Sequence, residues 1–190
     1  MRARLGVSVL LLATALGAAQ PGRAAETVLL NESPAFLCYR AALRGDSATG
    51  IDWCTTAIES QALPPEDLAA TYSNRGLLLS RDGEVGAALK DHDKAIVIAP
   101  EMGSLYVNRA NAYVRAKRMN DAMGDLERAI DIADASLAAA HYNRALLFQR
   151  LGDGRAARAD AERATELSPE TEAYRRYLHE LDQPVPTETQ

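Results

Sequence analysis

The sequence repeats itself. Tyr72-Ser73-Asn74-Arg75-Gly76 returns as Tyr106-Val107-Asn108-Arg109-Ala110 and again as His141-Tyr142-Asn143-Arg144-Ala145, with the asparagines 34 and 35 residues apart. A second block follows each at constant offset: Ala88 with Ala95-Ile96, Ala122 with Ala129-Ile130, and Ala157 with Ala164-Thr165. Two of the units close at Pro100 and Pro169, while Asp134 takes that place in the middle one. A unit this short buries its apolar face only against its neighbours, so the chain must be a stack whose stability sums over adjacent interfaces. Each unit reads as two antiparallel helices joined by a polar turn at Arg81-Asp82-Gly83, Lys117-Arg118 or Leu151-Gly152-Asp153. Gly76, Ala110 and Ala145 face Ala88, Ala122 and Ala157, which lets the backbones approach, and Leu79, Tyr113 and Phe148 fill the space between units. Strand signals are absent.

These blocks and their period resemble the tetratricopeptide repeat, over at least residues 69–169. The resemblance implies an all-α, right-handed superhelical solenoid of antiparallel helix hairpins, with repeats at 65–102, 103–136 and 137–169. One period earlier, residues 31–64 read as a degenerate unit: Leu43-Arg44-Gly45-Asp46 matches the later turns, Gly50 takes the small second-helix place, and Ala57-Ile58 repeats Ala95-Ile96. On this register Cys38 falls at the place of Gly76, and Cys54 at the place of His92 and Leu126. Those places face each other across the hairpin, so in an exported chain the two cysteines are expected to form a disulfide, with two buried free thiols as the alternative. The Cys-x-x-Cys spacing of a reactive redox pair is missing. Phe36, Tyr39 and Trp53 are expected in this unit's core, the alternative being an exposed aromatic patch. Thr171 to Leu181 reads as a capping helix within 170–182, with Tyr174, Tyr177, Leu178 and Leu181 on one face, followed by a loose tail at 183–190.

The amino terminus has the order of a secretory signal. Arg2 and Arg4 precede an uncharged apolar run from Leu5 to Leu16, then Gly17-Ala18-Ala19. The run is short for a membrane span, which needs about 20 apolar residues. Residues 1–19 are therefore read as a signal peptide cleaved after Ala19, with a site after Ala24 as second choice, an uncleaved anchor as the alternative, and 20–30 as a linker. The mature protein is expected to be periplasmic or secreted, without stable membrane insertion. Only Lys90, Lys94 and Lys117 are lysine among 21 basic residues, which points to a GC-rich bacterial source.

Function is bounded by charge and by what is missing. The net charge of −5 opposes nucleic-acid binding, which needs a basic face. Three scattered histidines and two cysteines cannot build a four-thiolate metal cage, and no cofactor is expected. Gly152-Asp153-Gly154-Arg155-Ala156-Ala157 has no preceding strand, and its glycines belong to a helix–helix turn. The resemblance implies that first helices line a concave face on which Asn74, Asn108 and Asn143 hold the backbone amides of an extended peptide, since a side-chain amide both donates and accepts. Arg81, Arg115 and Arg150 recur seven residues on and would favour an acidic or carboxylate-ended segment. The family's carboxylate clamp wants a basic residue where Asn143 stands. Arg75, Arg109 and Arg144 with Asp91, Asp125 and Asp160 read as scaffold pairs at the surface, worth about 0–1 kcal/mol each. The reading is a noncatalytic protein–protein adaptor of the cell envelope that binds a peptide segment or partner domain. The alternative is a structural subunit or homodimer using convex or end surfaces.

Overall fold

The computed structural model describes residues 33–60 and 62–183. The expected signal peptide and linker, and all but the first residue of the expected tail, lie outside them. Every regular element among the described residues is a helix: α1 (Pro34–Arg44), α2 (Ser47–Ser60), α3 (Pro65–Arg81), α4 (Val85–Ile98), α5 (Gly103–Arg115), α6 (Met119–Ile132), α7 (Leu137–Arg150), α8 (Gly154–Leu167) and α9 (Glu172–Asp182). They pair as four antiparallel hairpins, α1 with α2 through α7 with α8, and α9 packs on α8. The chain is an all-α stack of helix hairpins.

Local chemistry sets the helix ends. Pro34 opens α1 behind Ser33, whose hydroxyl accepts the Phe36 amide at 3.2 Å. Asp153 does the same for α8, accepting from the Ala156 amide at 3.0 Å. Each hairpin turns on one left-handed residue: Gly45, Gly83 and Gly152 in three of them, and Lys117, at φ 60°, in the other. The proline-closed units leave their second helix through Ala99 and Ser168, at φ −135° and −143° with ψ 71° and 72°. The middle one ends at left-handed Ala133, and Asp134 accepts the amides of Gly103 at 2.8 Å and Ser136 at 2.7 Å. A Cβ on Gly103 would lie 2.8 Å from Asp134 Oδ1, so this tie needs glycine.

The small residues sit where the backbones meet. Ala88, Ala110, Ala122, Ala145 and Ala157 are fully buried, and a Cβ on Gly76 would lie 3.1 Å from the Ala88 carbonyl oxygen. Gly50 packs against Ala41 and Leu78 with no room for a methyl group. Cys38 and Cys54 are buried and joined by a disulfide, which ties α1 to α2. One expectation is corrected in this first hairpin. Trp53 and Tyr39 are 40% and 50% exposed, because no described element precedes α1 to cover them. The core there is Cys38, Ala41, Ala42, Cys54 and Leu78.

Candidate binding groove

The first helices touch one another in sequence, α1 with α3, α3 with α5 and α5 with α7, and so line one continuous face. The three asparagines share the register on that face but not the environment. Asn108 donates from Nδ2 to Ser73 Oγ at 3.0 Å, which ties it to the preceding first helix while its carbonyl oxygen stays available. Asn143 donates to the Ala139 carbonyl one turn back at 2.8 Å. Asn74 is half-buried, and its side chain bonds to no described residue. It borders a cleft of about 710 Å³ whose walls include Phe36, Tyr39, Leu63, Asp67 and Thr71. Phe36 stands one unit before Asn74 at the same place in the hairpin. This aromatic end of the groove was legible in the register but hidden by the expectation that Phe36 and Tyr39 fill a core.

The arginines divide in the same way. Arg81 donates from Nη1 to the Ala42 carbonyl at 2.6 Å, satisfying one of the acceptors left open at the end of α1. It staples the first two hairpins together. Arg115 and Arg150 are exposed at the ends of α5 and α7, and neither forms an ion pair with a described residue. Unlike Arg81, they can meet a carboxylate without first giving up a hydrogen bond to a described residue.

A ladder of ion pairs joins the two helices of each later hairpin. Arg75 Nε and Nη2 reach Asp91 at 2.6 and 3.0 Å, Arg109 reaches Asp125 at 2.8 and 2.7 Å, and Arg144 reaches Asp160 at 2.6 and 2.9 Å. These are not surface pairs as expected. The aspartate side chains are only 6%, 9% and 8% exposed, each lying under the arginine of its own hairpin. Arg75 also donates to Thr55 Oγ1 at 3.0 Å and Arg109 to Asp93 at 2.8 Å, so two of the pairs also lock adjacent units. The hydrogen bond to its aspartate is the foremost cause holding each arginine above its ordinary value. Burial alone would raise the Asp160 carboxyl, but the hydrogen bonds from Arg144 and His141 hold it below the usual range. Among the described residues, no group of three His, Cys, Asp or Glu is placed to hold a metal, and no helix is long and apolar enough to cross a membrane.

Hairpins of this period, with small residues at the crossing and an open inner face, define a helical repeat protein. Residues 103–136 and 138–171 each match the family model of the tetratricopeptide repeat, so this part of the chain is built of such repeats. It is 33% identical over 97 residues to the tetratricopeptide repeat protein 36 homolog of Drosophila melanogaster, covering 49% of this chain and 52% of that one. It is 34% identical over 96 residues to human tetratricopeptide repeat protein 36, covering 49% and 51%. The chain thus spans about half the length of the curated relatives it matches. Among solved structures, a thermophilic TPR protein of Thermus thermophilus shares the fold with a TM-score of 0.69 at 18% identity, covering 82% of this chain and 86% of that one. The first TPR of Spaghetti (RPAP3), bound to an HSP90 peptide, matches with a TM-score of 0.54 at 26% identity, covering 60% and 90%.

Proposed function

We propose that the chain is a noncatalytic protein-interaction adaptor of the cell envelope that holds an extended peptide segment of a partner on the face lined by α1, α3, α5 and α7. The observation that carries this reading is the alignment of Asn74, Asn108 and Asn143 on touching first helices, with Arg115 and Arg150 exposed and without ion pairs at the ends of two of them. Amides there meet the peptide backbone, and the arginines meet carboxylates. The peptide bound to the first TPR of Spaghetti supports the same use of this architecture. The envelope setting rests on the signal-like sequence of residues 1–19.

Two experiments test it. Mass spectrometry of the protein expressed in a bacterium with an outer membrane should find a mature chain beginning at Gln20 in the periplasmic fraction. A chain retaining Met1 in the cytoplasm contradicts the envelope setting. Chemical crosslinking in envelope extract should capture a partner with the native protein and lose it with the triple variant N74A/N108A/N143A. Equal capture by both contradicts the groove.

A further inference from the structure

The repeat register uncovers a substitution at the amino-terminal end of the stack. In the three later hairpins an arginine on the first helix grips an aspartate 16 residues further on, Arg75 with Asp91, Arg109 with Asp125 and Arg144 with Asp160. With Cys38 at the place of Gly76 and Cys54 at the place of His92, the same two places in the first hairpin fall on Leu37 and Trp53. An apolar pair stands where three ion pairs stand elsewhere. In two of the later hairpins the arginine at this position is met by the second helix of the preceding unit, through Thr55 for Arg75 and Asp93 for Arg109. No described element precedes α1, and Trp53 is 40% exposed beside a small groove of about 70 Å³ that it shares with Leu37, Ala41, Arg40, Arg44 and Asp46.

The end of a solenoid that faces water carries a polar outer face. The carboxyl-terminal end obeys, since Glu172, Arg175, Arg176 and Glu180 are exposed on α9. The amino-terminal end does the reverse, exchanging charge for leucine and tryptophan. We propose that this end face binds a second copy of the same chain, in an isologous end-to-end dimer. Its charges are arranged for self-pairing. Arg40 and Arg44 on α1 are exposed without an ion pair, as are Asp46, just before α2, and Asp52 on α2. A two-fold axis through the face lays α1 of one copy on α2 of the other, so the arginines meet the aspartates twice and each Trp53 packs beside the partner copy's Leu37. Each chain has one such end, so the contact closes as a dimer and does not propagate.

Trp53 is the only tryptophan, and its emission therefore reports on this face alone. The test is sedimentation equilibrium of the full mature chain from low micromolar to several hundred micromolar, with acrylamide quenching of Trp53 followed over the same range. The mass should double as quenching falls. The variant L37R/W53D installs the ion pair of the other hairpins and should remain a single chain with unchanged helicity. As a second probe that leaves the apolar pair alone, R40E/R44E should weaken the dimer on the order of tenfold or more, and adding D46R/D52R should restore it. A mass that stays single overturns the proposal, as does shielding of Trp53 that is independent of concentration, which would mean that a segment of the same chain covers it. A dimer that survives both L37R/W53D and R40E/R44E unchanged overturns it too.

Discussion

His92 is fully buried in the second hairpin with neither ring nitrogen hydrogen-bonded, and it fits because position 76 is glycine: a Cβ there would lie 2.9 Å from its Cε1. The same pair of places is filled by Cys38 and Cys54, then Gly76 and His92, then Ala110 and Leu126, so one contact is solved with a disulfide, an imidazole and a leucine in turn. Burial lowers the imidazole from 6.5 to about 4. The unfolded chain therefore takes up the proton first as pH falls. The stability contributed by neutral His92 is intact above pH 6.5 and is lost progressively down to about pH 4, in total on the order of 3 kcal/mol. Urea unfolding of His92→Leu should show a higher midpoint at pH 7 and a flatter fall toward pH 4, because leucine occupies this place in the next unit. The ion-pair ladder gives a second test by the same measurement. Arg109→Ala strands the buried Asp125 carboxylate and should cost about 2 kcal/mol, less than for a fully enclosed pair, whereas Arg163→Ala in an exposed pair should cost about 0–1 kcal/mol. The partners in these pairs were legible from constant spacing. Their burial was not, because it depends on how closely the two helices of each hairpin pack.

Turns and caps show where sequence reasoning reaches and where it stops. All three later turns were readable, but only two contain glycine, and the other sets Lys117 at φ 60°, a conformation that costs an L side chain about 1 kcal/mol. Lys117→Gly should raise the unfolding free energy by about that amount, since the lysine is exposed and makes no ion pair there. The capping helix was legible as an amphipathic stripe, and α9 buries Tyr177, whose hydroxyl donates to the Ala145 carbonyl at 3.2 Å, while Tyr174 lies 4.8 Å from the Tyr142 ring. What the stripe could not show is that Asp182, at the end of the helix, pairs with Arg158 on α8. That contact depends on where two helix ends meet in space. Truncation after Gln183 should leave the thermal midpoint nearly unchanged, whereas truncation after Glu170 should expose Tyr142 and Leu146 and cause aggregation, read by light scattering. Equal behaviour of the two truncations would show that α9 does not cap the stack.

Across the whole molecule, net charge and local charge point in opposite directions. The chain carries −5, and would carry −7 if residues 1–19 are cleaved as proposed, with Arg2 and Arg4. Long-range repulsion slows the approach of an acidic segment, while Arg115 and Arg150 act at short range, where salt screens less. The row of touching first helices was legible because their residues repeat; the engagement of Arg81 was not, because the Ala42 carbonyl it caps belongs to a different unit. On the proposed function, this face holds peptide backbone. The most direct test selects heptapeptides from a random display library against the full mature chain, then measures their affinity by calorimetry for the native protein, for N74A/N108A/N143A and for R115E/R150E. Micromolar peptides enriched in acidic residues are expected, with affinity that falls on the order of tenfold or more in both variants, each retaining native helicity. Peptides that bind both variants as tightly as the native chain would contradict it.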